Sequence, residues 1–161
     1  MLATLLLVIG GCGGDAEPSS GASASSASPS AGDVIRYGKD GVTIKGASDV
    51  SKLEGAPEDF KAFIAGLIED VEIDKDCPDK PAYSVDALDP AGYAAGGFGY
   101  CGGNYIIWAK VAGQWREVLG GQDHPMCHDL NRWGIPREIL IGDSIGDTCF
   151  DEETREVPYR P

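Results

Sequence analysis

Long hydrophobic runs and basic residues are both scarce in this sequence, and each shortage excludes a class of protein. The longest apolar run, Met1–Ile9, falls well short of the roughly 20 residues that a membrane-spanning helix needs. Lys and Arg number 13 against 26 Asp and Glu, so the formal net charge is −13. A surface this negative repels nucleic acid. We therefore expect neither a transmembrane helix nor a nucleic-acid partner.

Phosphate-binding and zinc motifs are missing as well. The glycine-rich stretch Gly92–Gly103 does not open a helix and has no Walker lysine, so it is not a phosphate-binding loop. Its glycines indicate bulges, sheet curvature or the close approach of another backbone. The cysteines contain no C-x-x-C pair, which disfavours a four-cysteine zinc site. We predict no metal and no other cofactor.

Histidine is rare, with only His124 and His128 in the chain. Their i, i+4 spacing would place both on one helix face, but Pro125 makes a helix across them unfavourable, and no adjacent glutamate completes a metalloprotease motif. The nearby Asp123 and Asp129 could supply carboxylates. A weak metal-assisted hydrolase using His124 and His128 therefore stays open as an alternative function.

The N-terminus carries the clearest motif. An apolar segment leads into Ile9, Gly10, Gly11 and Cys12, and this resembles the signal peptide and lipobox of bacterial lipoproteins. The resemblance implies that residues 1–11 are a signal peptide and that Cys12 becomes the lipidated N-terminus, bearing acyl groups such as palmitate. The mature protein would then be anchored to the cell membrane on its extracytoplasmic face.

Two further segments follow Cys12. Residues 12–32 consist mostly of Gly, Ala, Ser and Pro, a composition that cannot form a core and predicts a flexible linker. Residues 33–161 have the length of one domain and contain no second low-complexity break. We predict a single globular domain tethered by the linker.

Cysteine usage agrees with an oxidising compartment. Lipidation of Cys12 would leave an even set of four, which allows three disulfide connectivities. The order along the chain favours Cys77 with Cys101 and Cys127 with Cys149, because each pair closes a short local loop. In the chain-entropy model each bridge would stabilise the domain by roughly 3 kcal/mol.

Local patterns predict an α+β fold. Val34–Tyr37 and Val42–Lys45 are β-branched segments around an Asp40-Gly41 turn and predict a small hairpin. A helix is predicted from Pro57, because apolar residues recur at helical spacing from Phe60 to Val71. Residues 82–119 alternate and turn as an antiparallel meander, which would pack one face against that helix. The outline is similar to cystatin-like or NTF2-like scaffolds.

The C-terminal part predicts short helices at residues 127–133 and 135–140, followed by a solvated acidic tail that carries Cys149. This part resembles a recurrent ending of small secreted proteins from high-GC Gram-positive bacteria, in which a disulfide clips a short helix to the sheet. The resemblance rests on the following residues: Cys127, Leu130, Ile135, Pro136, Ile139 and Cys149. It implies the Cys127–Cys149 pairing and carries no catalytic residue.

Aromatic residues cluster in the meander and provide the candidate ligand surface. With one helix covering only one face of the sheet, rings on the other face could bind a ligand; the candidates are Tyr100, Tyr105, Trp108 and Trp115. We therefore expect a non-enzymatic binding or interaction module at the cell surface, with an unknown envelope protein or small ligand as its partner. An inhibitor of an extracellular enzyme is a further alternative, which would need a protruding loop such as Asp89–Gly97.

Overall fold

A computed structural model describes residues 33–140, 146–152 and 154–161. The predicted signal peptide 1–11, the lipid site Cys12 and the linker 12–32 lie outside these ranges. The described chain forms the predicted α+β fold, in which one main helix packs on a six-stranded antiparallel sheet. No helix within the described ranges is both long and apolar enough to cross a membrane.

The elements follow one another in a simple order. The strands are β1 Ile35–Arg36, β2 Val42–Ile44, β3 Ala82–Asp89, β4 Tyr93–Gly99, β5 Gly103–Val111, β6 Gln114–Gly121, β7 Thr148–Phe150 and β8 Glu156–Pro158. The helices are α1 Glu58–Glu69, α2 Cys127–Arg132 and α3 Arg137–Leu140, with a 3-10 helix at Ala47–Lys52.

Strands β3 to β6 form the predicted meander, each paired antiparallel with the next. The first turn is closed by Asp89, whose backbone carbonyl accepts the Gly92 amide hydrogen and whose side chain accepts that of Ala91. At the third turn Ala112 and Gly113 both have positive φ, as a two-residue hairpin turn requires. Local turn chemistry thus sets the strand order.

The hairpin predicted for Val34–Lys45 is wrong. Both short strands pair with β3 instead of with each other: Ile35 lies opposite Leu88, and Val42 lies opposite Val85. They form one interrupted edge strand, and the chain between them bulges outward at the Asp40-Gly41 step. A side chain at Gly41, where φ is +64°, would meet the Asp86 carboxylate, so this position serves the bulge and not a hairpin.

Helix α1 begins immediately after Pro57, as predicted. Phe60, Ile64 and Ile68 are its buried residues, and they cover one face of the sheet. Glu58 and Asp59 lie in the first turn, where they complement the helix dipole. This first core is the one that the sequence pattern indicates.

The opposite face of the sheet is covered too, which the sequence analysis does not anticipate. Ala95 and Ile107 on the sheet pack against α2, α3 and the β7–β8 hairpin to form a second core. The predicted acidic tail is therefore a folded layer: Cys149 is fully buried, and Tyr159 is 1% exposed. Its apolar residues are buried on the sheet while its carboxylates stay at the surface, and Asp147 forms an ion pair with Arg137.

Candidate functional site

The two predicted disulfides are confirmed. Cys77 pairs with Cys101 and Cys127 pairs with Cys149, with Cα atoms 5.6 and 5.1 Å apart. Paired cysteines of this kind persist in oxidising compartments, which indicates an extracytoplasmic protein. Because Cys127 is bonded to Cys149, it offers no free thiolate beside His128.

The two histidines contact different partners. His124 Nδ1 lies 3.4 Å from the Thr148 hydroxyl, and its ring packs against Phe150. His128 is exposed at the start of α2, with its Nε2 3.3 Å from the carboxylate of its neighbour Asp129. Within the described ranges no group of three or more His, Cys, Asp or Glu is arranged to hold a metal ion.

The sequence contains one catalytic spacing that the sequence analysis above does not use. Residues 142–146 read G-x-S-x-G around Ser144. In α/β-hydrolases this spacing forms a turn from a strand into a helix. Here it follows α3 and precedes β7, which is the reverse order, and residues 141–145 lie outside the described ranges.

Two of the four candidate aromatic residues do not line a surface. Trp108 is fully buried and Trp115 is 8% exposed, because both lie beneath α1. Phe60 packs edge-on against both indole rings, with ring centroids 6.2 and 4.7 Å away. The expectation that Trp108 and Trp115 contact a ligand is therefore corrected: they are core residues of the first cluster.

The two tyrosine candidates lie nearer the surface but differ in surroundings. Tyr105 packs toward α2, and burial raises the pKa of its hydroxyl, with the charge of Asp129 adding to the effect. Tyr100 stands just before the β4–β5 turn, where it hydrogen-bonds both backbone groups of Asp74. Tyr100 is the candidate that borders an open cavity.

Two open cavities lie side by side at the end of the sheet that contains the β4–β5 turn. Their volumes are about 310 and 520 Å³, and they share Ala82 and Gly99 as lining residues. We call the two together the distal trough. The polar residues that line the first cavity are Thr43, Tyr83, Ser84 and Asn104. The second is bordered by Lys45, Asp79, Lys80 and Tyr100.

Glycines keep the trough open. Gly97, Gly99 and Gly103 contribute backbone only to its lining. A Cβ at Gly99 or Gly103 would meet no atom closer than 3.9 Å, so a side chain there would project into the trough without a clash. In this part of the sheet the face of β4 and β5 is therefore left uncovered by side chains at Gly99 and Gly103.

Two acids with raised pKa values, Asp86 and Glu117, lie on strands β3 and β6. Burial raises the pKa of Asp86, and a hydrogen bond from Ser84 partly opposes that rise. Burial likewise raises the pKa of Glu117, whose charge helps to raise that of Tyr83. Asp86 lies on β3, which also lines the trough, whereas Glu117 lies on β6, which does not; neither acid lines the trough.

Tyr100 is the one predicted ligand-surface candidate that borders the trough, and sequence reasoning does not single out several of the trough's other lining residues. The missed residues are Thr43, Ser84, Asn104, Lys45 and Lys80, which come from three separate segments. Only the density of glycine in Gly92–Gly103 signals the feature in advance. Compared with protein-family models, curated proteins and solved structures, the chain matches none.

Proposed function

We propose that this chain is a membrane-anchored extracytoplasmic lipoprotein whose folded domain is a non-enzymatic binding module, with the distal trough as its binding surface. The observation that carries the proposal is the trough itself. It is an open cavity pair lined by glycine backbone, by neutral polar residues such as Ser84 and the half-buried Tyr100, and by the charged residues Lys45, Asp79 and Lys80, which suits recognition of a small ligand or an extended segment of an envelope protein.

Cysteine usage supports the anchor. The two disulfides account for four of the five cysteines and leave Cys12, the residue in the lipobox-like sequence. A chain bearing acyl groups on Cys12 would associate with the membrane without any spanning helix.

The position of the trough supports a binding role at the cell surface. Strand β1 runs antiparallel to β3 with Ile35 opposite Leu88, so the chain enters the domain at the end of the sheet that holds the Asp89 turn. The trough lies at the other end, beside Ala82 and Gly99. Eight residues of β3 span about 26 Å, so the first strand of the described chain and the trough lie at opposite ends of the sheet.

The alternative functions have less support. The segment Asp89–Gly97 is a tight turn followed by a central strand, so it does not protrude as an inhibitory loop would. The hydrolase alternative requires His124 and His128 to converge with carboxylates in a pocket, and neither histidine lines the distal trough.

The anchor is tested by intact mass. The chain recovered from membranes of the producing cell should have the mass of residues 12–161 plus an acyl glyceride, rising by about four hydrogens on reduction. A full-length, unlipidated chain would overturn the anchor.

Binding is tested by NMR on the ¹⁵N-labelled full chain in detergent micelles. Amide spectra are recorded before and after addition of the glycan, protein or low-molecular-weight fraction of the cell envelope. At least one fraction should shift amides of β4 and β5 around the trough. Gly103→Val should abolish the shifts by filling the trough, whereas Gly66→Ala on α1 should preserve them. Shifts confined to other surfaces, or no shifts with any fraction, would overturn the binding surface.

A further inference from the structure

The segment between α1 and β3, residues 70–81, forms one wall of the distal trough. Pro78, Asp79 and Lys80 border the second cavity opposite Gly99 and Gly102. We call residues 70–81 the clasp loop. Whatever fixes this loop also fixes the shape of the trough.

The clasp loop is attached to the β4–β5 turn at two adjacent points. Cys77 is joined to Cys101 by a disulfide. The Tyr100 hydroxyl donates a hydrogen bond to the Asp74 carbonyl over 3.1 Å and accepts one from the Asp74 amide. Two further hydrogen bonds lie within the loop: the Cys77 amide donates to the Asp74 carbonyl, and the Asp76 amide donates to the Asp74 carboxylate.

Little apolar burial holds the loop in place. Residues 72–76 and 78–80 are all exposed, and Ile73 is 70% exposed. Segments with few buried contacts open at low free-energy cost unless a covalent link restrains them. The disulfide is therefore the main restraint on the loop.

The two disulfides differ sharply in accessibility. Cys77 and Cys127 are both half-buried, so the difference lies in their partners: Cys149 is fully buried in the second core, whereas Cys101 is exposed at the turn. Cys101 also has φ of +51°, a left-handed conformation that a non-glycine residue seldom adopts. Thiol–disulfide exchange requires the attacking thiolate to reach a sulfur atom, so the two bonds should differ in reactivity.

We propose that the Cys77–Cys101 disulfide is a redox-sensitive clasp on the distal trough, whose reduction frees residues 72–80 and changes ligand binding while Cys127–Cys149 preserves the fold. The part that concerns ligand binding rests on the proposed function of the trough. The clasp itself is a property of the two disulfides and can be tested without any ligand.

The reductant is a dithiol, either a small molecule or a protein with two neighbouring cysteines. Its thiolate attacks the exposed Cys101 sulfur, a mixed disulfide forms, and the Cys77 thiolate leaves. The second thiol of the reductant then attacks the mixed disulfide and releases the Cys101 thiolate. Two electrons and two protons pass to the protein, and the reductant becomes a disulfide.

Selective reduction is the first test. The full chain is exposed to increasing dithiothreitol, alkylated under native conditions, and mapped by peptide mass spectrometry. Cys77 and Cys101 should be alkylated at least about 10-fold faster than Cys127 and Cys149. Equal rates, or earlier alkylation of Cys127 and Cys149, would overturn the clasp.

Loop release is the second test, measured by hydrogen exchange on the selectively reduced chain and on the Cys77→Ser/Cys101→Ser variant. Exchange in residues 72–80 should rise at least about 10-fold in both, with exchange in β3–β6 unchanged. Unchanged exchange in the loop would show that Tyr100 alone holds it, and faster exchange throughout the sheet would show a purely structural staple. Either result overturns the proposal.

Binding of the envelope fraction that shifts the trough amides is then compared between the oxidised and the reduced chain. This comparison separates failure of the clasp from failure of the proposed binding function. If the oxidised chain binds and the reduced chain binds at least about 10-fold more weakly or more tightly, the clasp regulates the trough. Equal binding by both forms overturns regulation and leaves the binding module standing. Absence of binding by either form overturns the binding module and, with it, the regulatory part of the clasp.

Discussion

The Tyr159 hydroxyl donates a hydrogen bond of 2.9 Å to the carbonyl oxygen of Ile135, and both residues are buried in the second core. The bond joins the segment after β8 to the turn between α2 and α3, so it links two parts of the layer that covers the second face of the sheet. The C-terminal residues are thereby part of the folded domain.

Tyr159→Phe should destabilise the domain by about 1 to 2 kcal/mol, because a buried hydrogen bond is lost while the ring remains. Urea denaturation monitored by circular dichroism measures the change. Tyr37→Phe is the matched control: its hydroxyl donates to the Glu54 carbonyl at a more exposed site, and its removal should cost less than about 0.5 kcal/mol. Equal losses would show that the Tyr159 bond adds nothing specific.

Gly96→Ala should destabilise the domain by about 3 kcal/mol or more. A Cβ at Gly96 would lie 1.9 Å from the Ser84 carbonyl oxygen and 3.1 Å from the Trp108 ring, so β3, β4 and the indole would all have to move. Thermal unfolding provides the measurement. Gly66→Ala on α1 should have the opposite sign, a gain of up to about 1 kcal/mol, because nothing lies within 4 Å and alanine favours the helix. A neutral Gly96→Ala would contradict the close approach of the strands.

Phe60→Ala should destabilise the domain by about 3 to 5 kcal/mol, since Phe60 is fully buried between the two indole rings and its removal leaves a cavity. Phe63→Ala, one turn later and only partly buried, should cost less than half as much. Chemical denaturation followed by tryptophan fluorescence would measure both. The reverse order would mean that α1 is rotated on the sheet.

Asp86→Asn tests the raised pKa of Asp86 through pH dependence. A carboxyl group whose pKa is higher in the folded than in the unfolded state favours folding while it is protonated and disfavours it as pH rises through the folded pKa. The variant, which does not ionise, should therefore gain stability relative to the wild type between about pH 3.5 and pH 7. Unfolding free energies at the two pH values decide the question. A relative loss over that interval would place Asp86 in a charge-stabilising environment instead.

Local signals predict the elements that depend on local physics. Pro57 and the Phe60–Val71 spacing predict α1 because helix start and amphipathicity are encoded within a few residues. Turn residues such as Ala112-Gly113 predict the meander for the same reason. The disulfide pairs follow from proximity along the chain.

Strand pairings and packing contacts between residues far apart in the sequence cannot be predicted from local signals. Nothing near Ile35 or Val42 reveals that each pairs with β3, since that register is decided by residues about 50 positions further on. Strand alternation places Trp108 and Ile107 on opposite faces but does not reveal that both faces are covered. The trough is missed for a related reason: its polar lining residues come from β2, β3, β5 and the loops beside them, and only the fold brings them together.

The burial of Tyr159 and Cys149 in the second core bears on the order of events during synthesis and export. Residues 33–121 already contain α1, the whole six-stranded sheet and the Cys77–Cys101 pair, so this larger part of the domain can assemble as soon as it emerges. Cys127, in contrast, lacks its native partner until Cys149 has been made, and the second face of the sheet is not fully covered until Tyr159 has been made. A chain that ends between Cys127 and Cys149 would expose the apolar residues Ala95 and Ile107 together with a reactive thiol. Quality-control proteases and oxidising enzymes could recognise these features as those of an incomplete chain.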